Sequence, residues 1–171
     1  MYKRQEVPHI NPSRWTSEHN KYADCPYDYF TEQLKSQYYA MFTSAGGEKT
    51  SNPSCRSASR DVAGTLSGGW FKGDSTDSRG TRLVIGSDYS TVDLVIDKDD
   101  PTDSGRLLSL RHLNAPKKPE DVIVGNSVCY FDPEINKHAY LKLLTAMEMG
   151  LSIGEGNCPS SFPGQYETWV R

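Results

Sequence analysis

From Thr65 onward the hydrophobic pattern of this chain changes from a helical period to alternation. Turn signals cut it at Gly73-Asp74, Gly86-Ser87-Asp88, Asp103-Ser104-Gly105, Gly154-Glu155-Gly156 and Pro163-Gly164. Glycine and aspartate supply the backbone freedom and local hydrogen bonds of tight turns, so each pair of signals brackets one short run. The runs predict strands near 66–71, 81–86, 91–96, 107–113, 122–131, 139–145, 148–153 and 166–170. In the fourth run Leu108, Leu110 and His112 share one face, against Leu107, Ser109 and Arg111 on the other. Short strands at this spacing argue for a mainly β domain, α+β at the margin: an antiparallel barrel or sandwich of six to eight strands. A meander closing on itself is the favoured form, because closure removes exposed sheet edges.

Ahead of the strands lies one helical signal. Tyr29, Phe30, Leu34, Tyr38 and Met41 recur at about one turn, with Glu32, Gln33, Lys35 and Gln37 between them. Asp28 or Thr31 is suited to cap its first turn, and Gly46-Gly47 ends the region. One short helix makes no core of its own, so it is expected to pack on the sheet, with Leu34 in the contact. Residues 1–24 are polar and aperiodic, and read as an extended arm or the remnant of an upstream region, anchored by Trp15. Met1-Tyr2-Lys3-Arg4-Gln5 resembles the translated adapter remnants that sometimes begin assembled environmental sequences. Residues 25–171 are expected to form a single domain.

Composition narrows the function classes. The formal charge is only -3, and no basic tract exceeds the pair Lys117-Lys118, which disfavours nucleic acid as a partner. No apolar run reaches the length of a membrane span. The four cysteines, at 25, 55, 129 and 158, form no Cys-x-x-Cys pair, which leaves little support for a zinc knuckle or a thioredoxin-like site. Of the three possible pairings, Cys25–Cys55 with Cys129–Cys158 is favoured, because each bond closes a loop of about thirty residues within one region. Disulfides place the chain outside a reducing cytosol, in the periplasm or beyond the cell.

Several separated motifs keep a common order: Cys25-Pro26-Tyr27-Asp28-Tyr29-Phe30, Asn52-Pro53-Ser54-Cys55, Asp61-Val62-Ala63-Gly64-Thr65-Leu66-Ser67-Gly68-Gly69-Trp70-Phe71, and Val128-Cys129-Tyr130 followed by Cys158. Together they resemble an uncharacterised group of exported bacterial proteins with a Cys-Pro-Tyr-Asp-Tyr-Phe helix start and an Asp-Val-Pro-Gly-Thr-Xaa-Xaa-Gly-Xaa-Trp-Phe element. This sequence departs from that pattern at Ala63 and Gly69. The resemblance implies an exported, disulfide-bonded protein, with a further β-rich part upstream in some members, and carries no activity. More locally, Gly68-Gly69-Trp70 is similar to the Gly-Xaa-Trp start of lipocalin-like and avidin-like barrels. In those a terminal arginine covers the tryptophan, and Arg171 stands where it can do so here.

Candidate chemistry is sparse. His112 as a base with Asp93 as its orienting carboxylate is the one pair worth carrying, and it depends on strand pairing. Asp97, Asp99 and Asp103 offer closely spaced oxygens to a calcium ion, but the run lacks the glycine and glutamate of an EF-hand loop. A charged loop facing water is the expected reading. Asp28, Arg60, Asp61, Trp70 and Tyr130 are candidate binding residues. For Asp61 a turn cap accepting backbone N–H groups is the plainer role, and for Trp70 filling a barrel end. No phosphate-binding loop, dinucleotide fingerprint or Gly-Xaa-Ser-Xaa-Gly elbow is present, so no cofactor is expected. The preferred reading is an extracytoplasmic binding or structural module. Its partner is a small molecule, a glycan, a protein or an upstream domain of the same chain. A hydrolase-like enzyme with a polar cleft at the strand ends is the alternative.

Overall fold

The computed structural model describes residues 9–17, 30–41, 60–88, 91–99, 105–113, 115 and 117–171. Eight strands form one antiparallel sheet: β1 (Gly68–Phe71), β2 (Gly80–Asp88), β3 (Thr91–Asp99), β4 (Gly105–Leu113), β5 (Ser127–Asp132), β6 (Lys137–Leu143), β7 (Glu148–Glu155) and β8 (Glu167–Val170). Their order, β4-β3-β2-β1-β8-β7-β6-β5, is a meander in which the first strand pairs with the last, Phe71 opposite Val170. The sheet curls until β4 and β5 meet, giving a nearly closed barrel.

Alternation decides what fills it. Trp70, Leu83, Ile96 and Leu108 lie side by side across β1 to β4, and Val128, Leu141 and Leu151 across β5 to β7. These chains other than Leu108, with Tyr130, Met149 and Trp169, form one buried cluster, against which the partly buried Leu108 packs. Both tryptophans and Tyr130 are at most 1% exposed, so the interior is occupied by large side chains.

Seven of the eight expected strands agree with the structure within a few residues at either end. The run at 122–131 does not. Pro119–Asp121 is a 3-10 turn, Val122 is buried against the core, and the strand begins only at Ser127. Gly125, with φ of 86°, makes the turn that separates them.

The arm lies along the outside of β1. Gly69 leaves room there for the Trp15 ring, which a methyl group at that position would overlap. Trp15 stacks on His9 at 4.0 Å and meets Phe71 edge-on at 5.4 Å. Arg14 donates to the carbonyls of Gly73 and Ser75, both at 2.8 Å, and the buried Asp77 carboxylate accepts the amides of Thr16 and Ser17. On the opposite side Cys129 is bonded to Cys158. That bond ties the segment after β7 over the outer face of β5 and β6. Phe162 there meets Tyr140 edge-on at 5.5 Å and lies 5.1 Å from Tyr166. Cys25 and Cys55 lie outside the described residues.

The helix is present as α1 (Glu32–Met41). Its N-terminus is capped by Thr31, whose hydroxyl accepts the Leu34 amide at 3.4 Å, while Asp28 lies outside the described residues. None of its residues is buried, and Leu34 is 39% exposed. Leu34 is therefore not part of the barrel core, although the apolar period placed it in a contact. Periodicity marks a face of a helix without specifying how much of that face is covered.

Candidate functional site

One end of the barrel is sealed by a polar clasp. Arg171 is 3% exposed, and its guanidinium lies 4.2 Å from the centre of the Trp70 ring. It donates to the carbonyls of Val62 (3.3 Å), Thr65 (2.9 Å) and Ser67. The Trp70 indole donates to Leu66 O at 3.0 Å. Leu66 in turn donates to the carbonyls of Pro119 and Val122, so the 3-10 turn closes over the same end. Burial pulls the guanidinium down to about 10, and the charge of Asp61 opposes that shift. Arg171 stays cationic at neutral pH, held by carbonyl dipoles and the π face.

Asp61 accepts backbone amides from two separate segments. Its carboxylate accepts the amides of Ile10 (2.9 Å) and Gly69 (2.8 Å) and lies 3.6 Å from His9 Nδ1. Burial pushes its pKa up, but the nearby His9 ring, the hydrogen bonds from Ile10 and Gly69 and the charge of Arg171 outweigh it, leaving the carboxyl below its ordinary value. The residue joins the arm to the first strand. Arg60 lies with its side chain against Gly86, and its carbonyl accepts the Ser67 hydroxyl. Trp70 and Tyr130 are both interior. The Tyr130 hydroxyl donates to Lys117 O at 3.1 Å, and burial, aided by Glu120 and Asp121, raises its pKa beyond the ordinary phenol range.

The seam between β4 and β5 is bridged by side chains. His112 Nδ1 accepts the Phe131 amide at 2.8 Å, and Asp132 accepts the amides of Arg111 (2.8 Å) and Glu134 (2.9 Å). This corrects the proposed acid–base pair. Val92, not Asp93, stands opposite His112, and Asp93 pairs with Arg111 Nε at 3.0 Å. Adjacent residues of a strand point to opposite faces, so register alone separates the two. The Nδ1 lone pair of His112 is also committed to the seam.

Asp97 lies 3.8 Å from Arg82 Nη2. Asp103 and the Asp99 side chain lie outside the described residues, among which no three metal-ligating side chains converge. What sequence reasoning missed is a concavity where β8 leaves β7. Pairing ends at Leu151 opposite Glu167, and beyond that point a groove of about 410 Å³ opens, lined by Leu151, Ser152, Ile153, Gln165, Tyr166 and Glu167. The only trace of it in the sequence is the Pro163-Gly164 turn close before β8.

The fold and these sites define an eight-stranded, nearly closed antiparallel barrel with a filled interior and a disulfide on its outer wall. In comparisons with known proteins, no family model, curated protein or solved structure matches the chain.

Proposed function

We infer that this protein is a binding or structural module that works outside the cytoplasm and contacts its partners through the outside of the barrel. The observation that carries this reading is the filled interior: Trp70, Trp169, Tyr130 and Met149 occupy the space that a ligand-carrying barrel leaves open. The Cys129–Cys158 bond supports an oxidising compartment. Among the described residues no helix is long and apolar enough to cross a membrane. His112 and Asp132, the polar groups best placed for chemistry, hold the β4–β5 seam instead.

Native mass spectrometry of protein folded in an oxidising compartment tests the reading. The expected result is a chain lighter than its reduced form by the hydrogens lost to disulfides, with no small molecule retained. A stoichiometric small molecule inside the barrel, or turnover of an ester or glycoside panel that His112→Ala abolishes, would replace the module with a carrier or an enzyme.

A further inference from the structure

The groove beside β7 has a defined backbone polarity. Gly156 donates to Asn136 O at 2.9 Å and Leu144 to Glu148 O at 2.9 Å, which makes the even-numbered residues of β7 the ones bonded to β6. Arg171 donates to Met147 O at 3.1 Å, so the odd-numbered residues bond toward β8. Bonded pairs in an antiparallel ladder recur at every second residue. Met149 and Leu151 find Trp169 and Glu167 on that side. Ile153 and Glu155 turn their N–H and C=O groups the same way, but β8 has already diverged, and Ile153 lines the groove.

A strand edge of this kind matches one class of ligand closely, an extended polypeptide whose own donors and acceptors alternate with the same repeat. The surrounding side chains narrow the class. Ile153 and Tyr166 are each 44% exposed and offer apolar contact, while Ser152 and Gln165 add polar groups. The carboxylate-bearing Glu167 is among the lining residues, and no cation is. Glu167 already meets Lys72 at 2.8 Å, but both side chains are about half exposed, so a second cation can share or displace that pair.

We propose that this groove binds an extended peptide segment carrying basic side chains, which adds to β7 as a strand in the space that β8 vacates. The proposal rests on the reading of the protein as an exterior-surface module, and names its partner class.

The test uses the full-length oxidised protein and a capped peptide of alternating lysine and valine, with binding followed by calorimetry and amide hydrogen exchange. The expected result is saturable binding that slows exchange at the Ile153 and Glu155 amides. The same peptide N-methylated along its pairing edge should bind at least about tenfold more weakly, because backbone hydrogen bonds are lost while charge is kept. Ile153→Pro should lose a similar factor, since its amide faces away from β6 and the remaining ladder is untouched. Tyr166→Ala, which alters no backbone group, should weaken binding a few-fold and serves if the proline variant misfolds.

No binding, or equal binding of the N-methylated peptide, overturns the proposal. So do Ile153 and Glu155 amides already protected in the free protein, which would mean that the chain covers its own edge. Preferential binding of maltose in the same groove would assign it to a glycan instead. All of these outcomes are separate from a small molecule retained inside the barrel, which would overturn the exterior-module reading itself.

Discussion

Arg171→Ala is the substitution whose cost can be worked through in most detail. The guanidinium donates to three carbonyls. Two of these keep another donor when it is removed: Val62 O still accepts from Thr65, and Ser67 O still accepts from the Val62 amide. Thr65 O is left with no donor among the described residues. An orphaned buried acceptor costs about 1–3 kcal/mol, and loss of a desolvated cation from the face of Trp70 costs up to about 2 kcal/mol more. The void left by the side chain adds to this, while relief of the buried charge offsets part of it. The net expectation is a loss of about 3–5 kcal/mol, a large share of the roughly 5–15 kcal/mol that holds an ordinary domain together. Urea unfolding of the oxidised protein, followed by tryptophan fluorescence, measures it directly. Arg171→Lys keeps a cation but loses the planar fork, and should fall between wild type and alanine. A loss below about 1 kcal/mol for Arg171→Ala would refute the clasp as a source of stability.

Other perturbations probe separate parts of the fold. Replacing Cys129 and Cys158 by serine should destabilise the protein by about 3–4 kcal/mol, from the entropy of the loop they close, and peptide mapping should recover a 129–158 link. Gly69→Ala should cost about 1–3 kcal/mol through overpacking against Trp15; because the arm can lift away, raised proteolysis near residue 15 is the accompanying readout. Asp61 contributes stability that is fully present above its unfolded pKa near 3.8 and is lost as the pH falls through its lower folded value. Asp61→Asn should therefore flatten the acid limb of the stability curve, and an unchanged limb would remove Asp61 as its source. Leu110→Ala, at a fully buried position, should cost about 2–5 kcal/mol; Leu34→Ala, at an exposed one, should cost within about 0.5 kcal/mol of nothing.

Local chemistry made most of this fold readable in the primary structure. Turn residues and alternation located the strands, because the pleat repeats every two residues and a buried face imposes that period on the side chains. The contact of Arg171 with Trp70 was foreshadowed only by the likeness of Gly68-Gly69-Trp70 to the start of lipocalin-like and avidin-like barrels. Loop length favoured the Cys129–Cys158 bond among the possible pairings, and that bond is present. Three matters were settled only by tertiary structure. Register placed Asp93 and His112 on opposite faces, which alternation within either strand could not reveal. Curvature brought β4 to β5, so that His112 and Asp132 accept backbone amides across the seam. The divergence of β8 from β7 created the groove, because where two strands stop pairing depends on how the barrel closes and on the segment bound through Cys158. Sequence periodicity determines which way a side chain points; only the closed sheet determines what it meets there.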